Sequence, residues 1–294
     1  MFSWCADPSA ISGLTWLSCF LTTGTHINFY WSFVTVLSVI AITAPLALLF
    51  GFGGAVAARS HVAPLSWLGR GYIAAVRGVP DIVYFLFFVI ALDQGIEWTN
   101  RLFVCDDLSA PVWVGTEFRV CPEAKVPLAT AAPAVQRAYN FGLAVFTFAL
   151  VFGAFAANVL HGAMTAVPRA QLETAEAYGM LPRQVFRRVL VPQMWIYALP
   201  GLSNLWLILI KATPLLFLLG IQDIVYWARE IGGAKLPGNN PYPHGDLRLW
   251  YFLALLVFYL AFTRVSEIVL GRLTRRLAHG QATLGGDAQR KAAA

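Results

Sequence analysis

Arg77, Asp81 and Lys211 are the residues that first point to chemistry, because each stands inside or beside a long apolar run. A charge at membrane depth is costly, and where one is kept it marks a solute path, a proton relay or a counter-ion. Asp81 follows Arg77 by four residues, the spacing of one helical turn, which allows an ion pair, although Gly78 and Pro80 fall between them. Other chemistry is poorly supplied. His26, His61, His244 and His279 show no metal-ligand spacing. Gly51, Gly53 and Gly54 lack the Lys of a phosphate-cradling loop and sit in an apolar run, where small residues serve helix packing. A membrane enzyme would gather His, Asp, Glu or Ser near one interface; only Glu173, Glu176 and His161 come near that pattern, and they stand amid Arg.

The elements that must position these residues follow from composition. The chain has 294 residues, 58% hydrophobic and 12% charged, against about 45–50% and about 25% in a soluble domain. The surplus is gathered into five blocks, each long enough for the roughly 20 residues that cross a bilayer: 31–58, 66–92, 139–160, 196–220 and 249–270. The second is interrupted by Arg77, Gly78, Pro80 and Asp81, and the fourth contains Pro200, Lys211 and Pro214. This predicts an all-α integral membrane protein with about five transmembrane helices and no separate soluble domain.

The net charge of +6 belongs to loops, since no aromatic-basic cluster of the nucleic-acid-binding kind occurs. Arg59, Arg70 and Arg77, then Arg169, Arg183, Arg187 and Arg188, then Arg272, Arg275, Arg276, Arg290 and Lys291 fall on one side of a five-span chain. The positive-inside rule makes that side cytosolic. The N-terminus is then outside and the C-terminus inside. The start, MFSWCADPSA, has no Lys or Arg and so lacks the basic opening of a cleavable signal peptide. The polar residues after His279 read as a disordered tail.

Cys5, Cys19, Cys105 and Cys121 all fall on the expected outer side, the compartment in which disulfides persist. Four cysteines allow three connectivities. Pairing within each segment, Cys5 with Cys19 and Cys105 with Cys121, is the simplest; four unrelated thiols is the alternative.

The loop 161–195 is the most informative stretch. Gln171 to Tyr178 reads as a short helix, Gly179 as the residue that ends it with positive φ, and Pro182 as the first position of a second helix over 183–190. Val185, Phe186 and Val189 fall on one face of the second helix and Arg183, Arg187 and Arg188 on the other, so both helices are expected to lie along the membrane surface. The first carries small residues, Thr174, Ala175 and Ala177, beside Glu173 and Glu176. A small-residue ridge on an exposed helix suits a groove in a partner protein; an ordinary amphipathic connector would not need it.

Glu173-Thr174-Ala175, three residues, Gly179, nine residues, Val189, one residue and Val191-Pro192 resemble the EAA loop of ABC importer permeases at every step of the spacing. Thr174, Val189 and Val191 are mild replacements. Three further segments are similar to polar amino-acid importer permeases of the histidine, glutamine, arginine and opine type: Tyr72-Ile73 with Arg77-Gly78-Val79-Pro80; Val167-Pro168-Arg169-Ala170-Gln171; and Lys211-Ala212-Thr213-Pro214-Leu215 with Gly220-Ile221-Gln222-Asp223-Ile224. The resemblance covers roughly 29–275. It implies an extracytoplasmic segment at 1–28, a permease domain at 29–275 with an outer loop at 93–138 and a cytosolic coupling loop at 161–195, and a cytosolic tail at 276–294.

The resemblance implies the rest of a machine as well. A cytosolic ATPase dimer docks on the EAA helix through Glu173, Thr174, Ala175, Gly179 and Pro192 and uses ATP and Mg. This chain binds no cofactor or metal itself. A second permease chain, identical or related, completes the path in the bacterial inner membrane. An extracytoplasmic binding protein delivers an amino acid or a derivative such as an opine. Lipid surrounds the chain, and no nucleic acid is involved. Arg77, Asp81, Asn158, Asn204, Lys211 and Thr213 are the path candidates. The family usually has Glu where Asn158 stands and an apolar residue where Asp81 stands, so either Asp81 supplies a carboxylate partner for Arg77 and leaves Asn158 to face the solute, or Asp81 faces water at the path wall. The loop 93–138 is longer than usual and caps the outer mouth or offers a docking surface. The competing class is an ion-coupled secondary transporter of amino acids, which would show inverted repeats that are not evident here.

Overall fold

The computed structural model describes residues 5, 11–75, 80–128, 130–238 and 240–278. Among the described residues, five helices are long and apolar enough to cross a membrane. They are α2 (Gly24–Ala58), α4 (Asp81–Val104), α5 (Pro133–Ala166), a run that combines α7 (Pro182–Val185) with α8 (Val191–Ala212), and α10 (Arg248–Ala278). Shorter helices are α1 (Gly13–Leu21), α3 (Ala63–Ala75), α6 (Arg169–Ala177) and α9 (Ile224–Gly232). Strands β1 (Trp113–Val114) and β2 (Glu117–Phe118) form a small antiparallel hairpin with Trp113 opposite Phe118.

Two expected spans are placed differently. The block 66–92 is not one span: α3 ends at Ala75, and the membrane-length helix is Ile82–Val104. The charges in the second half of α4 find partners nearby. Asp93 Oδ1 accepts from the Tyr139 hydroxyl at 2.6 Å. The buried Arg101 guanidinium donates to the carbonyls of Leu108 and Ala110. The connection to α5 therefore covers only 105–132. The helix that carries the fourth apolar block likewise starts early, at Pro182, and continues to Phe217.

The chain divides into two compact units, Met1–Leu46 with Gly78–Val151 and Lys211–Phe258, and Ala47–Arg77 with Phe152–Ile210 and Tyr259–Ala294. In the first, Cys5 is bonded to Cys19 with a Cα–Cα distance of 5.6 Å. That anchors α1 beside an aromatic cluster in which Trp16 stacks on Phe20 and Phe20 meets His26 edge-on. The buried His26 ring bonds the Thr23 hydroxyl at 2.7 Å and the Tyr251 hydroxyl at 2.6 Å, which ties the start of α2 to α10. Cys105 is bonded to Cys121, with Cα atoms 6.2 Å apart.

In the second unit, Ala55, Leu160, Met164, Leu190, Met194 and Ala198 form the buried core. Lipid tails are as apolar as leucine, so close backbone approach replaces the hydrophobic drive between helices. A Cβ at Gly51 would stand 2.6 Å from that of Ala156, and one at Gly69 would collide with the backbone of Ala57 and Ala58. The Tyr72 ring fills the space left by Gly54 and Gly153, so α2, α3 and α5 meet around it. Gly51 and Gly54 are thus packing residues; Gly53 faces open space. The apolar stretch of α5 is 67% buried against 11% to 28% in the other four long helices. The latter keep apolar faces available to lipid or to another subunit.

Candidate functional site

The segment after α5 is built by local rules. Val167 is buried and Pro168 caps α6. At the other end Gly179 adopts φ +81°. Its N–H donates to the Glu176 carbonyl at 2.9 Å, and the Met180 N–H donates to the Ala175 carbonyl at 3.1 Å. This pair of bonds is the Schellman closure, which a residue with positive φ makes possible. Leu172 packs onto the core and Ala175 is buried. The expected small-residue ridge is corrected here: Ala175 seats the helix, while Glu173, Thr174, Glu176 and Ala177 are the exposed positions. A hollow of about 310 Å3 lies beside them, with Met164, Val167 and Leu172 as floor and Arg59, Arg169, Glu173 and Glu176 around it. An apolar floor with a charged rim suits a protein contact.

The second surface helix is also corrected. Pro182 opens α7, and the Leu181 N–H donates to Gln184 Oε1 at 3.1 Å. The chain then passes through a π turn at Phe186–Leu190, where the Val191 N–H reaches back to the Phe186 carbonyl, and continues into α8. Pro192 has no N–H, and its ring would crowd the carbonyl four residues back; a wider π turn just before it relieves that conflict without breaking the helix. The segment is therefore the beginning of the fourth long helix, joined to it without a loop.

The path candidates are not gathered into one described site. Arg77 lies outside the described residues, as does the side chain of Asp81, so the expected pair between them does too. Asp81 is the first residue of α4. Lys211 is exposed in the last turn of α8, and Thr213 is fully buried at the start of the 3-10 turn Thr213–Leu219; both belong to the first unit. Asn158, half-buried on α5, and Asn204, exposed on α8, belong to the second.

One buried acid carries more structural consequence than its motif suggested. Asp223 is fully buried and caps α9 by accepting the Tyr226 N–H on Oδ1 at 2.8 Å. Oδ2 has no hydrogen-bond partner among the described residues. Burial pushes this carboxyl up to about 6, against the opposing pull of backbone N–H groups at the helix start. The signal was present in the sequence as an Asp directly before the apolar run Ile224-Val225-Tyr226-Trp227.

Comparison with known proteins adds to this geometry. The family described as binding-protein-dependent transport system inner membrane component matches residues 47–279. The arginine ABC transporter permease protein ArtQ of Escherichia coli K12 is 30% identical over 243 residues, covering 82% of this chain and 90% of that protein. The histidine/lysine/arginine/ornithine transport system permease protein HisQ of Salmonella typhimurium is 29% identical over 248 residues, covering 84% and 92%. A crystal structure of an amino acid ABC transporter with histidines superposes with a TM-score of 0.58 at 19% identity, covering 84% of this chain and 93% of that one. This last likeness speaks to the fold alone.

Proposed function

This chain belongs to the family of binding-protein-dependent transport system inner membrane components, and we propose that it is the path-forming subunit of an ATP-driven importer for a polar amino acid or a derivative such as an opine. It is a multi-pass inner-membrane permease and carries no reaction of its own. The N-terminus and the loop 105–132 face outward, and the 161–195 segment and the C-terminus face the cytosol. A cytosolic ATPase dimer hydrolyses ATP with Mg. A second permease chain, the same or related, completes the path. An extracytoplasmic binding protein supplies the solute.

The observation that carries this reading is the construction of α6. Glu173 and Thr174 are exposed on a helix whose other face is locked into the core by Leu172 and Ala175 and whose end is fixed at Gly179. The next helix runs through Pro182 and the π turn straight into α8. A push on α6 can thus reach a membrane-spanning helix through packed elements, which is what mechanical coupling to an ATPase requires. Arg59, Arg169, Glu173 and Glu176 around the adjacent hollow supply charges of both signs for the contact.

The test is uptake in proteoliposomes that hold this chain, its ATPase and its binding protein. ATP-dependent accumulation of a labelled polar amino acid, lost when the ATPase is omitted, is expected. Accumulation driven by an ion gradient with no ATPase present would place the chain among secondary transporters instead.

A further inference from the structure

A polar cavity of about 810 Å3 lies within the first unit, between the start of α2, the start of α5 and the segment that leads into α9. It contains none of the path candidates named above. Its lining is uneven in charge. Arg137 is the one cation among the described lining residues, and no Asp or Glu is among them. The Arg137 guanidinium makes no ion pair among the described residues. Asn28, Asn140 and Gln222 also reach the cavity, one from each element, and their side-chain amides make no hydrogen bond among the described residues. Gln136, by contrast, spends its amide on the Ala131 carbonyl. Trp31, Phe141 and Trp227 supply aromatic walls.

From this cavity we infer that the imported solute is a carboxylate-bearing amino acid whose side chain is not cationic, with Arg137 holding the carboxylate. The inference rests on the importer reading and narrows its substrate class. A guanidinium offers two parallel donors to a carboxylate, and such charge-assisted pairs are stronger than neutral ones. The three amides can donate or accept, so they suit an amide or a carboxyl side chain. A cationic side chain would meet Arg137 with no lining carboxylate to offset it, and like charges at close range repel. The relatives ArtQ and HisQ are named for arginine and for histidine, lysine, arginine and ornithine. Their solutes are the contrast.

The experiment measures equilibrium binding of labelled L-glutamine, L-glutamate and L-arginine to the permease–ATPase complex in nanodiscs, with no binding protein present. Binding of L-glutamine or L-glutamate is expected, with L-arginine at least about tenfold weaker. Arg137→Gln should weaken the bound solute roughly tenfold or more, the loss expected when a hydrogen-bonded charge is removed. Arg137→Lys should retain part of the binding. Arg137 is exposed, so neither variant threatens the fold. Arginine bound as tightly as the others, no binding of any of the three, or an indifferent Arg137→Gln would overturn the inference. ATP-driven uptake by the whole importer is read separately: if uptake persists while these binding results fail, only the substrate class falls, and if no amino acid is taken up, the importer reading falls with it.

Discussion

The segments 105–132 and 167–190 both leave the long helices and return to them, yet they are held in opposite ways. The first has little regular structure beyond the Trp113–Phe118 hairpin and one short 3-10 turn at Pro122–Ala124. It is held by the Cys105–Cys121 bond, by Arg101 gripping the Leu108 and Ala110 carbonyls, and by Asn100 donating to the Ala124 carbonyl. Even its exposed Asp107 is occupied locally: hydrogen bonds from Ser109 hold that carboxyl below its usual range. The second is helical almost throughout, has no cysteine, and merges into α8. A covalent staple fixes a loop in place without joining it to a helix axis. Continuous helix transmits displacement. The contrast separates a segment pinned in place from one continuous with a long helix, which is what the proposed coupling requires.

The largest expected effect breaks the second segment. Gly179→Pro cannot adopt φ +81° and removes the N–H that the Glu176 carbonyl accepts. Glu173→Lys reverses a charge on the exposed face. Both variants should reach the membrane in normal amounts and lose ATP-driven uptake; full uptake by both would mean that α6 is not the coupling element. The matching change in the first segment should be milder. Cys105→Ser with Cys121→Ser opens a loop of 16 residues, and chain entropy puts such a closure at about 3 kcal/mol. Thermal stability and protease resistance of this loop should fall while ATP-driven uptake persists. Loss of uptake equal to that of Glu173→Lys would erase the distinction between the two segments.

The smallest effect concerns Asp223. Its carboxyl is raised in the folded chain to about 6 from an ordinary 3.8. The folded state therefore binds the proton more tightly than the unfolded state. Stability contributed by this group declines as pH rises from about 4 to about 6 and is level above that. Asp223→Asn keeps an N-cap acceptor and removes the charge. It should melt on the order of a few degrees higher than the parent at pH 7.5, as a gain of about 1 kcal/mol or more would produce, and the gap should narrow at pH 4.5. Equal melting at both pH values would show that the carboxylate is better accommodated than its burial implies.

Much of this was legible in the residues. Gly179 and Pro182 read correctly because a positive-φ closure and a proline at a helix start are local requirements, set by the residue itself. The five long helices read correctly because a bilayer imposes length and apolarity together. The second block was set too early because α4 continues past Asp93 and Arg101, whose partners, Tyr139 and the carbonyls of Leu108 and Ala110, lie beyond any local pattern. Ala175 looked like part of an exposed ridge because its own size does not say which face of a nine-residue helix it occupies; the packing of Leu172 against the core does. The π turn was invisible because only the conflict at Pro192 hints at it, and a kink or a break would have answered that conflict equally well. The cavity around Arg137 joins residues from three distant stretches, and no spacing rule connects them.

The most direct test of the central claim, that the exposed face of α6 is the cytosolic contact for the ATPase, is thiol labelling of Thr174→Cys in a background without the native cysteines. Thr174 is exposed, and among the described residues its hydroxyl bonds only back to the Ala170 carbonyl, so the replacement leaves α6 intact. A membrane-impermeant maleimide should leave this position unlabelled in intact cells. It should label inverted vesicles stripped of the ATPase, and adding the ATPase back should protect the site. Labelling in intact cells, or labelling of inverted vesicles that the ATPase does not diminish, would contradict the account.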